Sequence, residues 1–410
     1  MRSVSGQTDC VSALKILSFS TLFPNAVQPR HGIFLEHRLA HLARAGDLEI
    51  RHVAPVPYFP SGHPRFGRYA QFARVPSADV RAGLRVTYLR FPLLPKVSMS
   101  AAPWLLAAAV LRGVRQIQRA GFDFDLIDAY YLYPDGVAAA ALARILKKPL
   151  LLTAFGSDVS QIPAYAVPRR ALLWAARQAP LMTVVCQALK DELARLGVPA
   201  ERMRVILHGV DLQLFKPPAD RAALRDGFGF TGPVLLSVGH LIDRKGHDIA
   251  IRAMPDLPDH TLLVVGDGPR EAMLRRLTQE LGLGERVRFL GHVDQARLPA
   301  LMGAADVLVN CSDREGIANV LIEAMACGTP VAATAVWGSP EAVTTPDAGV
   351  LLHERSAAAL VDGIRALQAA PPDRAATRRH AETFTWERTA SEHLQAIRDT
   401  LRTCTPTSCP

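Results

Sequence analysis

Two glutamates, eight residues apart, carry the chemistry that this sequence suggests most clearly. Glu315 lies in a polar turn beside Gly316, and Glu323 lies just inside a short apolar helix. Carboxylates at such positions can accept hydrogen bonds from the hydroxyl groups of a sugar. Acids near a helix start often do no more than complement the helix dipole, so neither glutamate alone defines a site.

The turn before this helix predicts a binding site for an anion. Backbone N–H groups at a helix N-terminus lack intrahelical partners and can hold a phosphate. Here they belong to Gly316, Ile317, Ala318, Asn319 and Val320. We expect Asn319 to cap the helix and Gly328 to end it. Two acids beside an anion site suggest a ligand that carries both hydroxyls and phosphates.

A second turn, from Gly239 to Asp248, suits a diphosphate. Gly239 lets the backbone approach the ligand, and Lys245 supplies a positive charge. Either His240 or Arg244 can supply a second one, and we favour Arg244 because its guanidinium is always charged. Exposed basic turns are common, so this turn gains its weight from preceding the two glutamates in the same half of the chain.

The residues from Asp313 to Pro330 read D-R-E-G-I-A-N-V-L-I-E-A-M-A-C-G-T-P. This string resembles the E-x7-E signature of glycosyltransferase family 4, and Lys245-Gly246 matches the K-G of that family. The resemblance spans about residues 14–402. It implies an α/β protein of the GT-B fold, in which two Rossmann-like, doubly wound domains face a central cleft. It also implies a retaining hexosyltransferase whose donor is a nucleoside-diphosphate sugar, with no cofactor and no metal.

The same resemblance assigns roles to the residues of both turns. Glu315 would face the donor sugar, while Lys245 and Arg244 would stabilise the departing diphosphate. Glu323 would hold the ribose, and the base would rest near the turn that ends at Val293. A glycosidase mechanism with two catalytic carboxylates is not favoured, because Glu323 is assigned to the ribose.

The first half of the chain is expected to form the acceptor side of the cleft. His31 and Gly32 lie in a loop between a predicted strand and a predicted helix, and Gly32 could let the backbone approach a ligand. Phe155 and Asp158 belong to F-G-S-D after another strand. Asp158 matches the family pattern, whereas Phe155 stands where members commonly have a histidine near the reacting sugar.

Two further departures keep other functions open. His208 stands where the family usually has asparagine, and His240 stands where it often has arginine. With Phe155, they leave a catalytically silent nucleotide-sugar-binding protein as one alternative. A sugar-nucleotide epimerase with the same architecture is another, and it would need no separate acceptor.

The strand–turn–helix pattern of the first half restarts near residue 234, which predicts two domains. We expect an N-terminal domain over residues 14–212 and a C-terminal domain over residues 218–383, with Pro217 and Pro218 at the boundary. The final helix, residues 384–402, is expected to cross back to the first domain. The predicted hinges lie near residues 212–218 and 375–386.

Positive charge is concentrated between Arg51 and Ala120, which hold eleven basic residues and the single acid Asp79. The segment predicts an anionic partner, with a membrane surface as the leading candidate and a merely solvated face as the alternative. No nucleic-acid-binding motif accompanies the charge. The helix at Trp104 to Ile117 would be either membrane-facing or half-buried, with an apolar face at Trp104, Leu105, Ala108 and Leu111.

The sequence predicts a cytoplasmic protein. Peripheral attachment to the inner face of the cell membrane is the accompanying expectation from its basic segment. We find no signal peptide and no stretch long enough to span a bilayer. The six cysteines form no C-x-x-C pair and no cluster with histidines, which favours a reduced protein without a zinc site. Nucleotide sugar and a glycan or lipid-linked acceptor are the expected partners.

Overall fold

The computed structural model describes residues 13–92 and 98–404, and Lys96 of the basic segment lies outside them. Two large β-sheets are built from short apolar strands. The strands Leu126–Tyr130 and Leu150–Ala154 are buried at every residue, as expected where helices cover both faces of a parallel sheet. Within the described ranges, no helix combines the length and hydropathy needed to cross a membrane.

The first half of the chain contributes the larger sheet. Its strands are β1 (Leu14–Phe19), β2 (Leu48–Val53), β3 (Val56–Pro57), β4 (Ala78–Arg81), β5 (Leu84–Thr87), β6 (Arg90–Phe91), β7 (Leu126–Tyr130), β8 (Leu150–Ala154), β9 (Leu181–Val184) and β10 (Met203–Val205). Its helices are α1 (Ile33–Arg44), α2 (Ser98–Arg119), α3 (Val137–Leu146), α4 (Ser157–Ser160), α5 (Ala166–Gln178) and α6 (Gln187–Arg195).

The second half contributes the smaller sheet and the last helices. Its strands are β11 (Val234–Val238), β12 (Thr261–Val265), β13 (Val287–Gly291), β14 (Val307–Asn310), β15 (Val331–Thr334) and β16 (Gly349–Leu352). Its helices are α7 (Arg221–Gly227), α8 (His247–Ala253), α9 (Glu271–Glu280), α10 (Leu298–Ala304), α11 (Asn319–Ala326), α12 (Ser339–Ala342), α13 (Ala357–Ala369), α14 (Arg374–Ala381) and α15 (Trp386–Cys404).

Both sheets are doubly wound. The first has the order β10-β9-β8-β7-β1-β2-β5-β4, and the second has the order β13-β12-β11-β14-β15-β16. All pairings are parallel except that of β4 with β5. The strand order reverses between β1 and β7 and again between β11 and β14, where ligands bind at the carboxyl ends of the strands. The predicted α/β class with two Rossmann-like sheets is confirmed.

The connection between β2 and α2 is more regular than the sequence indicated. The sequence of residues 57–95, rich in proline, arginine and aromatic residues, predicts an irregular stretch with one strand at residues 84–88. The structure instead has β3 paired with β6, an antiparallel β4–β5 hairpin, and a 3-10 segment over Pro64–Arg74. The hairpin turns at Ala82 and Gly83, both with positive φ, and Gly83 was the available turn signal.

Helix α2 buries a different face from the predicted one. Leu106, Ala107, Val110 and Val114 pack in the core of the first half. Trp104 is 45% exposed, and the exposed residues Ala108, Arg112, Arg115 and Arg119 follow it along the helix. The predicted apolar face was therefore wrong: α2 is half-buried, and its outer stripe carries an aromatic ring followed by three arginines.

The chain passes between the two halves twice. Val210 N donates to Phe384 O at 3.0 Å, so the two crossing segments run side by side. After the second crossing, α15 packs against α1, and its Leu394 and Ile397 share a core with Leu35. The predicted hinge positions and domain boundaries remain predictions.

A buried polar network fixes α15 to the first half. His393 Nε2 lies 2.9 Å from Asp128 Oδ2, and Arg38 Nη2 lies 3.0 Å from His393 Nδ1. The Tyr130 hydroxyl donates to the same Asp128 oxygen at 2.5 Å. Because buried charges need partners, this network fixes where α15 lies against α1 and β7.

Candidate functional site

Lys245, Arg244 and Glu315 meet at the switch point of the second sheet. Lys245 Nζ lies 2.5 Å from Glu315 Oε1, and Arg244 Nη1 lies 3.6 Å from Glu315 Oε2. The Ser312 hydroxyl also donates to Glu315 Oε1, at 2.8 Å. Two cations face one carboxylate, so the cluster keeps a positive charge that an anionic ligand can neutralise.

Two neighbouring strands bring these side chains together. The turn after β11 carries the cations, and the Lys245 side chain extends past Gly239. The turn after β14 carries Glu315, and Thr334 Oγ1 donates to Ser312 O at 2.5 Å. Because β11 and β14 are adjacent and parallel, residues 70 apart in sequence become neighbours.

Helix α11 begins beside this cluster, but its cap differs from the predicted one. Ala318 is the N-cap residue and Asn319 is already helical, with no side-chain bond to the first turn. The Asn319 Oδ1 atom is buried without a partner among the described residues. Ala318 has extended backbone angles, which sequence composition does not reveal. The prediction for Gly328 was correct, because its N–H donates to Met325 O with φ at 75°.

Glu323 lies away from Glu315 and lines a small cavity of about 110 Å3. Asn319 shares this cavity with Phe34 and His37 of α1 and with Trp386 of α15. Burial raises the pKa of Glu323 to about 7. The two glutamates of the eighteen-residue stretch therefore face different spaces, one beside cations and one beside aromatic rings.

Asp158 is fully buried and does not face the cleft. Its carboxylate accepts from the backbone N–H groups of Leu132 at 2.9 Å and Gly156 at 2.7 Å, and also from that of Phe155. Burial raises its pKa, and these bonds oppose the shift. Asp158 thus positions the loop that contains Phe155 and Gly156.

Phe155 faces the first half with its ring and the second half with its backbone. The ring stacks on His208 with centroids 5.5 Å apart and on Tyr130 at 5.9 Å. A Cβ on Gly316 would lie 1.9 Å from Phe155 O. The two halves of the molecule therefore touch through backbone atoms at this point, and only glycine fits at position 316.

His31 and Gly32 lie in the loop between β1 and α1. His31 lines a cavity of about 230 Å3 in the first half, and Gly32, with φ at 74°, is the N-cap of α1. A Cβ on Gly32 would lie 2.2 Å from Leu22 O. The protein's own backbone therefore already requires a glycine here, and the approach of Gly32 to a ligand stays a prediction.

Val293 and the side chain of His240 lie apart from the cation cluster. Val293 lines a cavity of about 510 Å3 together with Phe228, Leu263 and Arg288. His240 is exposed, and its Nδ1 lies 3.5 Å from Asp267 Oδ1. The geometry thus agrees with choosing Arg244 over His240 as the second cation beside Glu315.

The side chains of Ile317, Ala318 and Val320 pack into the protein, so their predicted role in donor binding would fall to their backbone groups. The side chains of Ile317 and Ala318 are buried, and that of Val320 packs on the same core of the second half. Helix α11 makes its first bond from Leu321 N to Ala318 O. The N–H groups of this first turn have no partner within the helix, as at any helix N-terminus.

Sequence analysis missed several residues that shape the site. Asp135 is buried with its pKa raised to about 7, mainly by desolvation, and it accepts from Thr21 N at 2.7 Å. Tyr131 has φ at 74° and bonds the Ser157 hydroxyl at 2.7 Å. A positive φ is uncommon for an aromatic residue, but no sequence signal marks it. Asp135 could have been noticed in Y-L-Y-P-D-G.

Glu341, which the sequence also did not point to, forms a hydrogen bond between the two halves of the chain. Its Oε1 accepts from Gln187 N at 2.6 Å, where α6 begins without a side-chain cap from Cys186. Burial raises the pKa of Glu341, and its bonds to backbone N–H groups lower it. A carboxylate from the second half thus caps a helix of the first half.

The cluster suits binding of a phosphate ester and stabilisation of a leaving phosphate. Lys245 and Arg244 supply positive charge for this, and the N–H groups before α11 supply hydrogen-bond donors. Within residues 13–92 and 98–404, no group of histidine, cysteine, aspartate or glutamate side chains is arranged to hold a metal ion.

Comparison with known proteins adds independent findings. The sequence model described as Glycosyltransferase Family 4 matches residues 36–214, and the one described as Glycosyl transferases group 1 matches residues 221–384. D-inositol 3-phosphate glycosyltransferase from Mycobacterium bovis (strain BCG / Pasteur 1173P2) is 32% identical over 399 residues, covering 89% of this chain and 78% of the relative.

Solved structures resemble the whole fold. Sucrose-phosphate synthase from Thermosynechococcus elongatus superposes with a TM-score of 0.76 at 24% identity, over 95% of this chain and 100% of that chain. Anabaena HepE in complex with UDP-glucose superposes with a TM-score of 0.70 at 22% identity, over 94% of this chain and 100% of that chain. These likenesses confirm the predicted architecture of two Rossmann-like domains.

Proposed function

Because the chain belongs to glycosyltransferase family 4 and is a transferase with the GT-B fold, we propose that it uses a nucleoside-diphosphate sugar. The sugar passes to a glycan or lipid-linked acceptor with retention of anomeric configuration, in cell-surface polysaccharide biosynthesis. The observation that carries this proposal is the Lys245–Glu315–Arg244 cluster beside the start of α11.

The geometry supports a separate role for each of these residues. Lys245 and Arg244 bind the diphosphate and stabilise the charge that develops as it leaves. Glu315 then exchanges its bond with Lys245 for bonds to the donor sugar, and Ser312 keeps its carboxylate in place. The acceptor hydroxyl attacks from the side of Phe155, on the face that the diphosphate leaves. Its proton passes to the departing phosphate oxygen as the bond between the sugar and that oxygen breaks. Glu323 and Asn319 accept from the ribose.

A panel of UDP-, GDP- and ADP-sugars tests donor binding through thermal stabilisation. UDP-glucose, which HepE binds in its solved structure, is the first member. Binding raises the melting temperature by mass action, so we expect a shift with one nucleotide class. Glu323→Ala should weaken the shift, and Glu354→Ala, which changes an exposed acid, should not.

Product analysis separates the alternatives. Donor and enzyme alone give an isomer if the protein is an epimerase. A silent binding protein shows the thermal shift without transfer to any acceptor and without slow donor hydrolysis. Absence of a shift with every nucleotide sugar contradicts the proposed function. Proton NMR of the transfer product reports whether the anomeric configuration is retained.

We also propose that the first half rests on the cytoplasmic surface of an anionic membrane. The supporting feature is the outer stripe of α2, where exposed Trp104 precedes Arg112, Arg115 and Arg119. Aromatic rings favour the membrane interface and basic residues favour anionic lipids. Co-sedimentation with phosphatidylglycerol vesicles should fall when the three arginines become glutamates. Equal sedimentation with phosphatidylcholine vesicles contradicts it.

A further inference from the structure

The cavity of about 230 Å3 in the first half opens where an acceptor would approach. Thr21 follows β1 and Pro134 follows β7, so the cavity lies at the switch point of the first sheet. Arg30, next to the cavity residue His31, reaches Asp294 of the second half at 3.4 Å. The cavity wall thus belongs to the surface that faces the nucleotide-binding half.

Most of the cavity wall is apolar. Val56 and Pro57 come from β3, Phe91 from β6, Phe72 from the 3-10 segment and Ala102 from α2. Phe91 is 7% exposed. These are the same elements that replace the irregular stretch expected from sequence. Rings at this depth favour C–H groups over charged or strongly hydrated ones.

Some polar groups of the cavity wall already form hydrogen bonds within the protein. The Thr21 hydroxyl donates to Asp135 at 3.0 Å, and Asn25 Oδ1 accepts from Gln28 N at 2.9 Å. The side-chain amide of Gln28 and the ring of His31 complete the polar part of the wall. Desolvation lowers the pKa of His31, which disfavours its charged form.

Among the described residues that line the cavity, none is an arginine, lysine, aspartate or glutamate. Arg90 lies behind the wall, but its guanidinium donates to the carbonyl oxygens of Phe72, at 2.8 Å, and Val75. Beside these described residues, a phosphate would lose part of its hydration without gaining a cationic partner, which is costly.

We propose that this cavity receives an apolar group of an uncharged acceptor rather than a phosphate group. The inference rests on the proposed function and narrows its acceptor class. It sets the chain apart from the relative named D-inositol 3-phosphate glycosyltransferase, with which it is 32% identical.

Calorimetric titration of the full chain with n-hexyl β-D-glucoside and with D-inositol 3-phosphate tests the proposal. We expect measurable binding of the glucoside and none of the phosphate. Phe72→Ala should weaken glucoside binding about tenfold, because a buried ring contact is lost. Phe66→Ala is the matched control, since Phe66 lies in the same segment but outside the cavity wall.

Ala102→Leu provides a second test that leaves the surrounding rings intact. The larger side chain fills the cavity and should also weaken glucoside binding, while nucleotide-induced stabilisation stays unchanged. Absence of glucoside binding, insensitivity to both cavity variants, or comparable binding of D-inositol 3-phosphate overturns the proposal. Failure of the proposed function is distinguishable, because it shows as absence of stabilisation by every nucleotide sugar.

Discussion

At the scale of residues, the site depends on pairs that sequence spacing alone cannot establish. The types and order of Lys245 and Glu315 indicated a phosphate-binding turn followed by an acidic turn, and the structure brings them to 2.5 Å. The cap at Asn319 was wrong, because the backbone at Ala318 starts the helix one residue earlier. Side-chain chemistry was thus predictable where it depends on residue type, but not where it depends on local dihedral angles.

Lys245→Ala should lower kcat about 100-fold or more, because it removes a charge aimed at the leaving diphosphate. Initial-rate measurement with the donor identified in the thermal panel checks this. Arg276→Ala, an exposed cation on α9, serves as the control and should keep full activity. A Lys245→Ala enzyme with normal kcat would remove this lysine from the proposed mechanism.

Glu323→Gln should stabilise the protein more at pH 8 than at pH 5. The folded protein raises the pKa of Glu323 to about 7 from 4.5, so between these values the folded state binds more protons than the unfolded state. The free energy of unfolding that this group contributes therefore falls as pH rises through that window. Melting temperatures of the wild-type and Glu323→Gln proteins across pH 5–8 check this prediction. A difference between the two melting temperatures that does not change with pH contradicts it.

At the scale of elements, apolar runs predicted strands well because burial on both faces leaves a strong composition signal. Strands β8, β11 and β14 each coincide with a short apolar run of the sequence. The face of α2 was not predictable in the same way. Alanine and leucine occur all around that helix, so the choice of buried face was made by packing against α3 and α5.

Glu341→Ala should lower kcat/KM about tenfold and change the melting temperature little. The carboxylate caps α6 from the other half of the chain, and helix caps contribute about 0.5–2 kcal/mol. Loss of this hydrogen bond thus weakens the contact between the two halves more than the packing of either hydrophobic core. Steady-state kinetics and melting curves check it, with Glu354→Ala as the exposed control. A large fall in melting temperature would indicate a role in folding instead.

At the scale of the whole molecule, the two halves meet through contacts that involve few side chains. Phe155 O and Gly316 touch as backbone, and Val210 pairs with Phe384 by a backbone bond. Backbone contacts leave almost no trace in residue composition. Sequence therefore predicted two sheets and a returning helix, but not which loops join across the cleft.

Gly316→Ala should lower kcat about 100-fold while nucleotide-induced stabilisation remains. The added Cβ would lie 1.9 Å from Phe155 O, so the halves could not meet as they do here, and a misplacement of about 1 Å can cost that much in rate. Gly227→Ala is the control, because a Cβ there meets nothing within 4 Å. Unchanged turnover in Gly316→Ala would show that this contact is dispensable.

The return of α15 to the first half has a consequence for biosynthesis. Residues of the first half leave the ribosome first, but Leu394 and Ile397 complete the core that contains Ile16 and Leu35. During translation, the apolar side of α1 that α15 covers thus stays open while some 340 residues are added. This surface of the nascent chain is therefore covered only after α15 has been made.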